Sequence, residues 1–127
     1  MALKDSKAFS GFSVNDLAAA KKFYGETLGL DCNEHEMGLL LKLSSEHVIF
    51  IYPKENHQPA TYTILNFPVD DIDQAVEELK AKGVKFEHYD NMTDDKGIAR
   101  GIAQKMGPDI AWFTDPAGNI LSVLREA

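Results

Sequence analysis

The chain repeats itself. Phe12-Ser13-Val14-Asn15-Asp16-Leu17 returns as Phe67-Pro68-Val69-Asp70-Asp71-Ile72, at a period of about fifty residues. In both copies an apolar stretch meets a polar pair whose side chains accept the free amide hydrogens of a helix start. An amphipathic segment follows each pair. Leu17, Ala20, Tyr24 and Leu28 recur at helical spacing in the first, with Phe23 beside them; Ile72, Ala75, Val76 and Leu79 form the stripe in the second. Gly29 and Gly83 stop the two helices, because glycine enters the left-handed conformation after a last turn without strain. Gly25 lies inside the first segment, where glycine costs about 1 kcal/mol relative to alanine, and is a candidate mark of close packing.

After the first helix, residues 31–36, 38–43 and 47–52 read as strands. The last of these, HVIFIY, is almost wholly β-branched or aromatic and reads as buried on both faces. Residues 53–60 carry two prolines among polar side chains and read as a linker. The second half predicts a strand over 61–67, a helix over 72–82, a strand over 84–88 and a long polar loop over 89–97. Short strands follow near 98–103, 110–114 and 120–124, the last two joined by the turn Asp115-Pro116-Ala117-Gly118-Asn119. The expected fold is therefore α+β: one domain of two βαβββ modules in tandem, about 7–54 and 60–126, forming a curved, cupped mixed sheet. Neither module has enough core to stand alone.

A length of 127 residues suits one domain. The single cysteine, Cys32, excludes an internal disulfide framework and fits a reducing compartment. The first residues lack the apolar core of a signal peptide, and no apolar run is long enough to span a membrane. A cytoplasmic location is the expectation. The formal net charge is −7 and the thirteen basic residues are scattered, which argues against nucleic acid as a partner.

The run SVNDLAAAKKFYGETLGL resembles the opening module of the glyoxalase/bleomycin-resistance/extradiol-dioxygenase families, the vicinal oxygen chelate superfamily. FPVDDIDQAVEELKAKGV resembles its second-module helix, and FTDPAGNILSVL its closing hairpin. The resemblance covers almost the whole chain. It implies a divalent ion held by histidine or glutamate near the start of each module's first strand and by glutamate on the last strand. Counted from the capping motifs, those positions fall on Phe9, Ile64 and Ser122, with a pseudo-symmetric place near Phe50. Phenylalanine and isoleucine have no donor atom, and a neutral serine hydroxyl is a poor ligand by itself. A slip of one residue brings Ala8, Ser10, Thr63, Leu65, Leu121 or Val123, which are no better. The expectation is no metal site and no cofactor.

His35 and His47 read as solvated strand residues, His57 as an exposed linker residue, and His88 as the end of a strand beside Tyr89, with a pocket mouth as its alternative. Asp94 and Asp95 read as ordinary loop charges. Phe9, Phe50, Tyr52, Tyr62, Ile64 and Trp112, with Ser122, are the candidates for the concave surface, as ordinary core or as the wall of a small-molecule site. Met92, Arg100 and Met106 are candidates for a lid. The function expected is a metal-free protein of this superfamily that binds an apolar or aromatic small molecule. The alternative is a lyase, isomerase or dioxygenase of the same superfamily, using a metal through ligands outside these positions. The resemblance implies a homodimer.

Overall fold

Each copy of the repeat builds one four-stranded mixed sheet with a helix against a single face. The structure, a computed structural model, describes residues 2–44 and 46–126, and the chain divides between His57 and Gln58 into two units. The first unit runs β1 (Ser10–Val14), α1 (Leu17–Lys21), a π-helical turn (Lys22–Thr27), β2 (Asp31–His35), β3 (Gly38–Lys42) and β4 (Val48–Pro53). The second runs β5 (Thr63–Pro68), α2 (Ile72–Ala81), β6 (Ile98–Arg100), β7 (Asp109–Thr114) and β8 (Ile120–Arg125). The sheet orders, β1-β4-β3-β2 and β5-β8-β7-β6, follow one scheme. In each, the strand before the helix lies parallel to the last strand of its unit, and the other pairings are antiparallel. Two tandem βαβββ units of the α+β class are thus present.

The helix starts follow from the repeated aspartates. Asp16 accepts from the Ala19 amide and Asp71 from the Gln74 amide, each at 3.1 Å. After Lys21 the first helix widens, with the Leu28 amide reaching back five residues to the Phe23 carbonyl at 2.8 Å. Tyr24 is fully buried in this turn, with the rings of Phe12 and Phe23 packed around it at 5.8 and 5.2 Å. Regular helical spacing describes Leu17 to Lys21 but not the wider turn that follows.

In the first unit, α1 packs on β3 and β4, and Val14, Leu39, Leu41, Ile49 and Ile51 are buried. The opposite face of β4 is different: Val48 and Phe50 are half-buried and Tyr52 is exposed. The strand is therefore covered on one face, not both. Its β-branched and aromatic composition favours a strand, but it carries no information on how many faces are covered. In the second unit, α2 packs on β7 and β8, and Ile72, Val76, Ile98, Ala111, Phe113, Leu121 and Val123 are buried.

Residues 84–88 do not form the expected strand. They touch β7 through one bridge, Phe86 to Phe113, and the Glu87 amide donates to the Trp112 carbonyl at 2.8 Å. β6 already pairs with β7 from Asp109 to Ala111, so only the end of β7, Trp112 to Thr114, lies open to this stretch.

Two carboxylates organise the irregular parts of this unit. Asp115 is buried and accepts from the amides of Ala117 and Asn119, both at 2.9 Å, and from the Asn119 side chain at 3.0 Å. Gly118 supplies the positive φ of +86° that closes the turn. Asp94 accepts from the Lys96 and Ile98 amides, each at 2.9 Å, and from Arg100 Nε at 3.0 Å, so it is a turn-former and not an idle loop charge. Arg100 also grips Asp73 of α2 through two nitrogens, at 3.0 and 2.8 Å. Committed to these two carboxylates, Arg100 ties the loop to the helix and is no lid residue.

The Arg100 hydrogen bonds pull the Asp73 carboxyl down to about 2, against burial and with help from Lys96. Burial raises the Asp94 carboxyl, but the Ile98 amide, Arg100 and the Lys96 amide outweigh it and leave the group below its ordinary range. Asp73 titrates lower when folded than when unfolded, so its contribution is complete above about pH 4 and is lost as pH falls towards about 2. In urea unfolding, the midpoint of Asp73→Asn should fall less steeply with acid over that interval than that of the unaltered protein. Parallel curves would contradict this assignment.

Two glycines make an opposed pair of predictions. A Cβ at Gly38 would meet the Ile51 carbonyl oxygen at 2.4 Å and the Phe50 ring at 2.7 Å; one at Gly25 meets only Cys32 Cβ at 3.7 Å. Gly25→Ala should therefore stabilise by up to about 1 kcal/mol. Gly38→Ala should destabilise by about 1–3 kcal/mol through overpacking. The same unfolding measurement checks both signs.

Candidate functional site

The face of each sheet opposite its helix presents the candidate residues. In the first unit the pairings Gly11 with Phe50, Ser13 with Tyr52 and Leu40 with Phe50 set one side-chain row beside another on that face. Gly38 leaves room for the Phe50 ring. The Phe50 ring lies over Gly38 and stacks on Tyr52 at 5.9 Å with an angle of 20° between planes. At the end of this face is an open recess of about 890 Å³, with Phe9, Leu40, Val48 and Phe50 among its lining. Phe9 is 66% exposed. His35 and His47 stand at the same recess with Lys7, Glu36 and Glu46, which adds charged groups around an apolar floor.

His57 is half-buried, contrary to the expectation of an exposed linker residue, and its Nδ1 shares a 2.6 Å hydrogen bond with the Ser13 hydroxyl. The bond spans 44 residues of sequence, so neither flank of His57 announces it. The Lys54 amide donates to the Val14 carbonyl at 2.9 Å and fastens the same stretch to the end of β1.

In the second unit the open face carries the row Asn66–Ser122–Trp112 across β5, β8 and β7. Ser122 is fully buried and its hydroxyl donates to Asn66 Oδ1 at 2.5 Å. Ile64 falls where the pairing of β5 with β8 slips, between Thr63 and Leu65. Trp112 Nε1 donates to the Thr63 hydroxyl at 3.1 Å, and the Tyr89 ring meets Trp112 edge to face at 5.6 Å. Tyr62, Thr63, Tyr89, Met92, Trp112 and Ile120 line a recess of about 220 Å³. Of the lid candidates, Met92 reaches this recess. Tyr89, rather than its neighbour His88, stands at its side. Sequence reading passed over Tyr89; the aromatic composition of the start of the loop was the signal available.

The positions from which relatives hold a divalent ion do not fit one here. Phe9, Ile64 and Phe50 have no donor atom, and the fully buried Ser122 hydroxyl is neutral and a poor ligand by itself. Among the described residues no three His, Cys, Asp or Glu side chains gather into a set that could hold a metal. Nor does Cys32 offer a ready nucleophile: burial raises its thiol, Lys21 opposing and Asp31 adding, so the protonated form is favoured.

The chain was compared with known proteins. The model of the Glyoxalase/Bleomycin resistance protein/Dioxygenase superfamily matches residues 9–123. No curated protein sequence matches the chain. Among solved structures, the chain is similar to a superfamily member from Sphaerobacter thermophilus, with 22% identity over 98% of this chain and 100% of that one, at a TM-score of 0.71. A glyoxalase family protein from Bacillus anthracis has 21% identity over 96% and 97%, at a TM-score of 0.66. The fosfomycin resistance protein FosX from Listeria monocytogenes has 15% identity over 97% and 92%, at a TM-score of 0.70. At such identities the structural likeness speaks for the fold alone. The family pattern, running from the first strand to the last, goes further: the chain belongs to the glyoxalase/bleomycin resistance protein/dioxygenase superfamily.

Proposed function

We propose that this protein binds an apolar or aromatic small molecule on the open faces of its sheets, without a metal ion. In this reading the two modules act as one domain of a cytoplasmic homodimer, and Phe9, Phe50, Tyr52, Tyr62, Ile64, Trp112 and Ser122 belong to the binding surface. The observation that carries it is the recess of the first unit, about 890 Å³, with Phe9, Leu40, Val48 and Phe50 in its lining. That volume lies in the range of small-molecule sites, which are mostly apolar with a few polar groups. Covering an exposed phenylalanine ring such as Phe9 contributes on the order of 1–2 kcal/mol. The absence of donor atoms at Phe9, Ile64 and Phe50 supports binding in place of metal chemistry. The metal-using alternative has His35 and His47 at the same recess to draw on, and the tests below separate the two.

Anilinonaphthalene sulfonate, an aromatic probe that brightens in apolar surroundings, should bind the folded protein. Phe9→Ser should weaken it about 5-fold, which corresponds to about 1 kcal/mol, and Phe9→Ser combined with Phe50→Leu should weaken it further. Unchanged affinity in the double variant would sink the proposed surface. Elemental analysis of untagged protein dialysed against Zn, Ni, Mn and Fe(II) should find less than about 0.1 ion per chain. A tightly held ion on every chain would favour the metalloenzyme instead. Sedimentation equilibrium should give twice the chain mass, and a monomer would remove the dimer from the proposal.

A further inference from the structure

We infer that the recess of the second unit is a seat for a small organic cation of the quaternary-ammonium type; this rests on the reading of the open faces as ligand-binding. Tyr62, Tyr89 and Trp112 bring three aromatic rings to one recess, together with the thioether of Met92. Every side chain of the lining is uncharged. Aromatic faces carry negative electrostatic potential, and tryptophan is the strongest of them toward a cation.

Ring geometry chooses between a flat ligand and a rounded one. Tyr89 and Trp112 meet at 76°, with ring centroids 5.6 Å apart, so their planes form a corner and not a slot. Two parallel rings would sandwich a planar aromatic. Non-parallel rings instead suit a compact, rounded group, the shape of a tetraalkylammonium head. The volume, about 220 Å³, suits a headgroup of a few heavy atoms better than a fused ring system.

The corner is also built before any ligand arrives. Trp112 is held by its hydrogen bond to Thr63 at 3.1 Å. The Tyr89 amide donates to the Thr93 hydroxyl at 2.8 Å, and the Thr93 amide donates back to the Tyr89 carbonyl at 3.0 Å. Holding the Trp112 ring and the Tyr89 backbone in place lowers the ordering cost of binding. A formal net charge of −7 draws cations toward the protein and repels anions.

The probes are choline and dimethylbutanol, its uncharged isostere in which carbon replaces the nitrogen. Trp112 is the only tryptophan, so its fluorescence reports on this recess directly. At constant ionic strength choline should shift or quench that fluorescence with a dissociation constant on the order of millimolar, and dimethylbutanol should bind about 5-fold more weakly or worse. Tyr62→Leu and Tyr89→Leu keep the apolar bulk but remove a ring face. Each should weaken choline about 3-fold or more and dimethylbutanol by less, and an unaltered circular dichroism spectrum shows that the variants are folded; equal losses for the two probes would overturn the inference. Equal binding of choline and dimethylbutanol would overturn the cation inference and leave apolar binding standing. Failure of both to perturb Trp112 would overturn this inference and, for this unit, the binding surface beneath it.

Discussion

Each four-stranded sheet has one helical segment, and that helical segment covers one face. Everything else about the molecule turns on this shortage of cover. The face under α1 buries Leu39, Leu41, Ile49 and Ile51, while the other face of the same strands leaves Val48 and Phe50 half-buried and Tyr52 exposed. Burying apolar side chains is worth about 25 cal/mol per Å², so a sheet with an apolar second face has free energy left to gain from a further occupant. Phe9, Phe50 and Trp112 stand on such faces.

Polar groups do another job in this chain. Asp115, Asp94 and Asp71 each accept from backbone amides, at a turn, a loop and a helix start. Arg100 bridges two carboxylates on separate elements, Asp73 on α2 and Asp94 in the loop. These are partly exposed ion pairs, and their contribution to stability is modest. Their value is geometric, since they fix the path of residues 94–97, ahead of β6, where no regular pairing does.

What the sequence revealed was local. The repeat, the capping aspartates, the stopping glycines and the Asp-Pro-Ala-Gly-Asn turn depend on residues a few places apart, and all appear in the fold as expected. The π-helical turn was hidden, because Leu17, Ala20, Tyr24 and Leu28 satisfy an ordinary helical period as well. Residues 84–88 read as a strand from composition, but they meet β7 only at its end, through the single bridge of Phe86 to Phe113. The Ser13–His57 bond and the placing of His35 and His47 at one recess depend on strand register, which no short window contains. The candidate aromatic residues were visible as a set; their division between two recesses was not.

The hydrogen bond between Ser122 and Asn66 reaches beyond the question of metals. It lies inside the parallel pair β5–β8, two residues from the point where that pairing slips. Parallel strands joined by an irregularity have neighbouring alignments of similar backbone energy, so something must choose among them. A slide of one residue would place Phe67 or Leu65 opposite Ser122 and strand a buried hydroxyl without an acceptor, at a cost of about 1–3 kcal/mol. The serine thus works as an alignment key. The position that the family resemblance assigns to an ion ligand carries instead a bond between two strands.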